Sequence, residues 1–399
     1  MTDIKMQMEK IRRGVAEIIG EEEIISALRS GNPLRVKFGV DPTSPDIHLG
    51  HTVVLNKLKV FQELGHKVVF IIGDFTARIG DPSGRTETRP MLDEKDILAN
   101  ASTYVEQVFK ILDKDKTEVV YNSHWLYPLG VEGLLRLSRR ATVAQMLHRA
   151  DFAERYKNGI DITMLEFLYP LLQGYDSIAV KSDVEIGGTD QKFNLLFGRD
   201  LQRDEGMKPQ AVITMPILEG LDGKRKMSKS YGNHIALNDS PSDMFGKIMS
   251  ITDEMMYKWY ELLTDRNLEE VKSMHPRDAK ALLAETITAR YHGAEAASGA
   301  RAEFEKIFKE KNLPSDMPQY HVPRSKSGGN SGESMMRVSD VMVASGLAPS
   351  RSEALRLIKQ GAVKLDGARV VSDDKILPHG KKEVVLQSGK RGFLRIIFK

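Results

Sequence analysis

Arg35-Val-Lys-Phe-Gly-Val-Asp-Pro-Thr-Ser-Pro-Asp-Ile-His-Leu-Gly-His51 and, after one helical stretch, Lys67-Val-Val-Phe-Ile-Ile-Gly73 decide the fold class. The first seven residues read as a strand. Proline-rich loop chemistry follows, then an amphipathic helix from about His48 to Leu64 that stops at Gly65. The second apolar run suits a strand buried on both faces of a parallel sheet. Glu118 to Tyr121 and Ala211 to Met215 read as further short strands, with helical patterns between them. Strand–helix–strand repetition of this kind predicts an α/β domain with a doubly wound parallel sheet. In such sheets the ligand sits beyond the carboxyl ends of the strands.

Working outward, 399 residues are too many for one ordinary domain. The nucleotide-type domain is expected over residues 1–235, with a mainly helical insertion at about 92–163. A helical domain follows over 236–311. Residues 312–334 are rich in Pro, Ser and Gly and read as a flexible linker. Residues 335–399 form a small α+β unit. That last segment carries 13 Lys and Arg against 6 Asp and Glu, a net of +7, which leaves −4 for the rest of a chain totalling +3. A basic tail on a mildly acidic body fits an appended polyanion-binding module, or simply a basic surface. The chain has no cysteine, which excludes disulfides and thiolate metal sites. No apolar run approaches the roughly 18 residues needed to span a bilayer. The N-terminus lacks signal-peptide character. A cytoplasmic location is the expectation.

Two segments carry phosphate chemistry. In His48-Leu-Gly-His51 the histidines fall in the first helical turn, three residues apart on one face. A helix start already favours anions through its free N–H groups, and two imidazoles there can donate to phosphate oxygens. Gly50 lets a nucleotide approach the backbone. Plain surface histidines or metal ligands are alternatives, although no carboxylate and histidine set accompanies them at metal spacing. Lys226-Met-Ser-Lys-Ser230 is the second segment. A lysine pair on a small-residue loop can close over a triphosphate and neutralise departing pyrophosphate. Alone, it also reads as a solvated basic loop.

The two together, in this order and after the first and last strands, resemble the signature sequences of class I aminoacyl-tRNA synthetases. Over essentially its whole length the chain is similar to the bacterial tyrosyl-tRNA synthetase family. Gly39-Val-Asp-Pro-Thr43, Gly80-Asp-Pro-Ser-Gly84, Tyr169-x-x-x-Gln173-x-x-Asp176 and Gly187-Gly-Thr-Asp-Gln191 match that family's motifs. The resemblance implies a Rossmann-like catalytic domain, ATP as substrate with Mg2+, tyrosine and its tRNA as partners, and a homodimer joined through the helical insertion. It implies catalytic roles for Thr43, His48, His51, Lys226 and Lys229. ATP would lie on Gly39, Asp41, His48, Gly50, His51, Gly188, Asp190 and the loop of Lys226, Met227, Ser228, Lys229 and Ser230. The amino acid would be held by Lys37, Asp81, Tyr169, Gln173, Asp176 and Gln191. No protein-bound metal is expected. Read singly, Asp81 could initiate a turn, Asp190 could be a helix N-cap, and Tyr169 could be core packing. Lys37 stands where many family members have a tyrosine that helps bind the substrate hydroxyl, the mark of a divergent branch. By strand alternation it shares a face with Gly39 and Asp41 and could pair with Asp176.

The tail resembles the small ribosomal S-four type RNA-binding domain. Ser350 is a plausible N-cap for a helix from Arg351 to Gln360, and Asp366-Gly367 marks a hairpin. Arg351, Arg356 and Lys359 would contact tRNA phosphates, with Lys381, Lys382, Lys390, Arg391 and Arg395 extending the positive surface. Other readings are tryptophanyl-tRNA synthetase, a shorter nucleotidyltransferase sharing the His-x-Gly-His motif, and a catalytically inactive synthetase-like RNA-binding protein.

Overall fold

The structure, a computed structural model, describes residues 4–43, 46–82, 93–309, 317–322, 336–373, 375–376, 383–389 and 392–398. The chain divides into two compact units, Met1–Ala300 and Arg301–Lys399.

The first unit is built on a six-stranded sheet. Its strands are β1 (Glu17–Ile19), β2 (Arg35–Val40), β3 (Lys67–Ile72), β4 (Thr117–Tyr121), β5 (Val184–Gly188) and β6 (Ala211–Met215), in the order β1-β6-β5-β2-β3-β4. Strands β2 to β6 are parallel, and β1 closes one edge antiparallel to β6. After Lys67, every residue of β3 is buried, as is all of β6. This is why both read as continuous apolar runs. The chain winds outward from β2 through β3 to β4, then returns to β5 on the other side of β2. The crevice between β2 and β5 is therefore the topological switch point, where ligands of such sheets bind.

Helices α1 (Ile4–Arg12), α2 (Glu21–Ser30), α3 (Leu49–Glu63), α4 (Glu94–Val108), α5 (Ser123–Ser138), α6 (Val143–Met146), α7 (Ala150–Lys157), α8 (Met164–Ala179) and α9 (Lys192–Asp204) connect and cover the strands. Helix α3 ends where Gly65 takes φ +92°, a left-handed stop. Helix α8 begins with a capping box. The Thr163 hydroxyl accepts from the Glu166 N–H, and the Glu166 carboxylate accepts from the Thr163 N–H. Burial opposes charge on Glu166, but the Arg155 guanidinium, 2.6 Å away, and the Thr163 amide outweigh it and hold the carboxyl below its usual range. Helices α10 (Pro241–Ile248), α11 (Asp253–Leu263), α12 (Leu268–Ser273) and α13 (Pro276–His292) belong to the same compact unit as the sheet, and α14 (Ala294–Lys309) runs past its boundary. Among the described residues no helix is long and apolar enough to cross a membrane.

The second unit holds β7 (Gln319–Val322), β8 (Met336–Arg337), α15 (Val338–Ala344), α16 (Arg351–Lys359), β9 (Val363–Leu365), β10 (Ala368–Arg369), β11 (Lys375–Ile376), β12 (Glu383–Ser388) and β13 (Gly392–Phe398). A five-stranded sheet runs β10-β9-β12-β13-β7, and β8 pairs with β11. Val341, Met342, Ala354, Ile358, Leu386 and Ile396 form its core. Ser350 caps α16 by accepting from the Glu353 N–H. Asp366 and Gly367 both have positive φ, as a two-residue hairpin turn requires.

The doubly wound parallel sheet is as expected, with β1 added antiparallel at one edge. The mainly helical stretch over 92–163 contains the expected strand β4 at the other edge, with α4 as the crossover into it. One expectation needs correction. Gln319–Val322, inside the stretch read as linker, is a strand parallel to β13, and its Tyr320 packs on the core of the second unit. Flanking Pro, Ser and Gly concealed that short strand. Residues 312–316 and 323–334 of the stretch read as linker, together with Ser83, Gly84, Lys381, Lys382, Lys390 and Arg391, lie outside the described residues.

Candidate active site

A cleft of about 300 Å³ opens at the carboxyl ends of β2, β3 and β5. Gly39, Asp41, Thr43, His51, Asp81, Tyr169, Gln173, Asp176, Gly188, Asp190 and Gln191 all line it. Strand ends, one helix face and one turn thus bring residues from opposite ends of the first unit to one place. Gly73 is required by this packing. A Cβ there would lie 2.1 Å from Asp41 Oδ1 and 2.4 Å from Thr76 Oγ1.

At the phosphate end, His48 is the N-cap of α3 and His51 its third residue. His48 Nδ1 accepts from the Gly50 N–H at 3.2 Å, and His51 Nδ1 accepts from the His48 N–H at 3.2 Å. Each ring therefore uses Nδ1 as an acceptor, which leaves the proton on Nε2. Burial, with the neighbouring His51 and His234 rings, pushes His48 down to about 2, and burial takes His51 down to about 4. Both are neutral donors near pH 7. The segment after the lysine loop is pinned to this turn. Leu49 N–H donates to Ile235 O, and Leu237 N–H donates to Ile47 O, both at 3.0 Å. Buried Met227 packs against Gly50. Asn233 fastens the loop. Its Oδ1 accepts from the Ser228 N–H, and its Nδ2 donates to Lys226 O. Lys226 reaches Asp190 at 3.5 Å and Lys229 reaches Asp46 at 2.8 Å, while Ser230 is exposed on the same loop. Among the described residues no group of three or more His, Cys, Asp or Glu stands at metal-binding spacing.

The other end is lined with acceptors. Asp41 is half-buried, with its carboxylate accepting from Thr76 Oγ1 at 2.7 Å and from the Tyr169 hydroxyl at 3.0 Å. Burial raises its carboxyl to about 7, and the charge of Asp81 adds to this. Asp176 Oδ1 accepts from Trp125 Nε1 at 2.7 Å. Burial takes this carboxyl up to about 7 as well, against the charge of Lys37. Gln191 donates to Asp81. Asn194 donates to Gln173 Oε1 at 2.8 Å and Gln191 Oε1 at 3.3 Å, and accepts from buried Arg149 at 3.0 Å. Tyr169, Gln173 and Asp176 come from one face of α8.

These contacts decide the open alternatives. Asp190 makes no side-chain cap but pairs with Lys226, and burial raises its carboxyl. Tyr169 is buried yet hydrogen-bonded to Asp41, so it is more than packing. Lys37 is corrected. It is fully buried and does not line the cleft, and its Nζ goes to Glu185 at 2.8 Å rather than pairing with Asp176. The carboxylate across the strand pair, not predicted from sequence, captured it. Thr76, Asn122, Trp125, Arg149, Glu185, Asn194 and Asn233 were also not foreseen. Only Asn122 and Trp125 carry a usable signal, since they follow the carboxyl end of β4. Arg351, Arg356 and Lys359 lie in the second unit, on α16.

Comparison with known proteins gives the family. The family described as tRNA synthetases class I (W and Y) matches residues 29–309, and the S4 domain family matches residues 336–379. Tyrosine–tRNA ligase 2 of Vibrio parahaemolyticus is 51% identical over 407 residues, covering 100% of both chains. Tyrosine–tRNA ligase of Oleidesulfovibrio alaskensis is 53% identical over 404 residues, 99% of each. Among solved structures, a C-terminally truncated mitochondrial tyrosyl-tRNA synthetase from Aspergillus nidulans superposes with TM-score 0.64 at 20% identity, over 77% of this chain and 95% of that one. The tyrosyl-tRNA synthetase of Archaeoglobus fulgidus, complexed with L-tyrosine, gives 0.62 at 24%, over 75% and 100%. The last two speak for the fold alone. The full-length relatives decide between tyrosine and tryptophan, and the chain belongs to the tyrosyl-tRNA synthetase family, the class I ligases that join tyrosine to tRNA.

Proposed function

We propose that the cleft activates tyrosine by in-line attack of its carboxylate on the α-phosphorus of ATP, and that the tyrosyl-adenylate then passes its acyl group to the terminal adenosine of the tyrosine-accepting tRNA. No side-chain nucleophile takes part. Positioning and charge stabilisation carry the rate. Asp81, Tyr169 and Gln173 take the α-ammonium, Asp176 accepts from the phenol hydroxyl, and Gln191 faces the carboxylate. Gly39, Asp41, Gly188 and Asp190 hold the nucleoside. Gly50 and the Lys226–Ser230 loop receive the triphosphate, which enters as its magnesium complex.

One observation supports this most. Both histidines spend Nδ1 on backbone N–H groups, so each has Nε2–H left to donate to the β- and γ-phosphates. Thr43, His48 and His51 would stabilise the transition state there, with Lys226 and Lys229 closing over departing pyrophosphate. Replacing Lys229 with alanine should slow tyrosine-dependent ATP–pyrophosphate exchange by roughly 10²-fold while leaving the tyrosine KM near that of the parent. Unchanged exchange would remove Lys229 from the mechanism.

We also place the enzyme in the cytoplasm, where ATP and tRNA meet, as a homodimer with α16 touching tRNA. Exposed apolar side chains on α5 support the dimer, and the S4 match supports the RNA contact.

A further inference from the structure

Lys37 and Glu185 face each other across β2 and β5 with side chains 0% and 2% exposed. The ammonium has three acceptors for its three protons, namely Glu185 Oε1 at 2.8 Å, Ser177 Oγ at 2.8 Å and Gln173 O at 2.9 Å. Glu185 also accepts from Ser177 Oγ at 3.1 Å and from Gln210. Dehydrating two charges costs several kcal/mol each, and apolar residues at two parallel strands would pack at no such cost. Stability alone is a poor reason for the pair. Its position is more telling. Glu185 lines the cleft, Gln173 and Ser177 flank Asp176 on α8, and the positive charge of Lys37 bears on Asp176.

We propose that the buried Lys37–Glu185 pair is a positioning device for tyrosine selection, fixing an ammonium behind Asp176 so that this carboxylate meets the substrate hydroxyl as a charged acceptor. Lys37 itself stays out of the cleft. Glu185 keeps it from swinging in and neutralising Asp176 by direct contact. The inference rests on the assignment of Asp176 as hydroxyl acceptor. A site built around such an acceptor rejects phenylalanine strongly, because the carboxylate is then left unpaired.

Several groups face Asp176. Lys37 comes from β2, Glu185 from β5, Asp41 from the loop after β2, Asn122 from the N-cap of α5 and Trp125 from its first turn, and Tyr169 from its own helix. Of these, Lys37 is the cation that favours the ionised form. Without it, Asp176 keeps its proton to higher pH, and a protonated carboxyl is a weaker acceptor for a phenol.

The test compares parent enzyme, Lys37→Met and the double variant Lys37→Met/Glu185→Gln, which removes both charges together and so avoids leaving a buried carboxylate unpaired. Tyrosine- and phenylalanine-dependent ATP–pyrophosphate exchange are measured across pH, with thermal melting as a check on folding. In Lys37→Met kcat/KM for tyrosine should fall roughly 10-fold or more, mainly through KM, with its acid limb moved to higher pH, and the double variant should move the same way by less, because the charge of Glu185 opposes that of Lys37 at Asp176. Phenylalanine activation should stay within about 2-fold, so discrimination narrows. Equal losses for both amino acids, or an unmoved acid limb, would reduce the pair to packing and overturn the proposal. Asp176→Asn is run in parallel. If it leaves the tyrosine-to-phenylalanine ratio intact, the hydroxyl-acceptor assignment itself falls, an outcome separate from any effect at Lys37.

Discussion

Asp176 and His51 pull the stability of this enzyme in opposite directions as pH changes. The Asp176 carboxyl has an ordinary value of 3.8 and sits at about 7 in the fold, chiefly through burial. Between those values the unfolded chain has lost the proton and the folded one retains it. Its stabilising contribution is thus complete below about pH 4 and is lost as pH rises through 7. His51 has an ordinary value of 6.5 and sits at about 4 in the fold, again through burial. Its contribution is complete above 6.5 and is lost as pH falls through 4. Asp41 acts with Asp176, and His48 with His51. Near pH 5 the four largely offset one another. Asp176→Asn removes one falling contribution. The unfolding free energy of that variant should therefore rise with pH more steeply than the parent's between about pH 4 and 7, by up to roughly 1.4 kcal/mol per pH unit. Losing the carboxylate also weakens the contact with Trp125, but that offset does not vary with pH. Urea unfolding of both proteins at several pH values gives the slopes. Parallel curves would mean that Asp176 is ionised in the fold throughout.

At the scale of elements, α5 behaves unlike its neighbours. Gly130, at φ +60°, kinks it, and beyond the kink Val131 and Leu135 stand one turn apart, 77% and 63% exposed. Tyr156 on α7 and Met164 at the start of α8 are exposed as well. Grouped exposed apolar residues mark an interaction surface more often than chance, and burying each side chain contributes about 1.5–3 kcal/mol. Val131→Glu/Leu135→Glu should therefore weaken a homodimer by roughly 10²-fold or more in Kd, read as a shift toward monomer in sedimentation velocity. A mass that does not change, or a parent already monomeric, would place the interface elsewhere. An element is legible in the sequence when its information is local. Helix α8 was legible because Tyr169, Gln173 and Asp176 recur at helical spacing. Strands β3 and β6 were legible because both of their faces are buried. Strand β5, Val-Glu-Ile-Gly-Gly, was concealed by a charged residue and two glycines, and the charge is there because Lys37 lies opposite. Asn194 and Arg149 order the acceptors around Gln173 only through tertiary contacts, so no local pattern announces them.

The whole molecule falls into two compact units, so the adenylate chemistry proposed for Met1–Ala300 and the RNA contact proposed for Arg301–Lys399 can be tested separately. In the second unit Arg351 and Arg356 are more than half exposed on α16. Arg356 pairs with Glu353 at 2.5 Å, and Arg351 lies 3.9 Å from Asp340 and from Asp373. Exposed pairs of this kind are worth little in water, so the guanidinium groups can be redirected to phosphate at small cost. Phosphate contacts show a distinct signature, because each one released lowers the dependence of log K on log salt by about 0.7–0.9. The triple change Arg351→Glu/Arg356→Glu/Lys359→Glu should weaken tRNA binding, flatten its salt dependence and slow aminoacylation at low tRNA concentration. Tyrosine-dependent ATP–pyrophosphate exchange needs no tRNA and should be unaffected. If exchange falls as well, α16 supports the catalytic unit in some way that its charges do not explain. If tRNA affinity and salt slope both stay at the parent's values, the positive surface of the second unit is solvated, and the tRNA is held by the first unit alone.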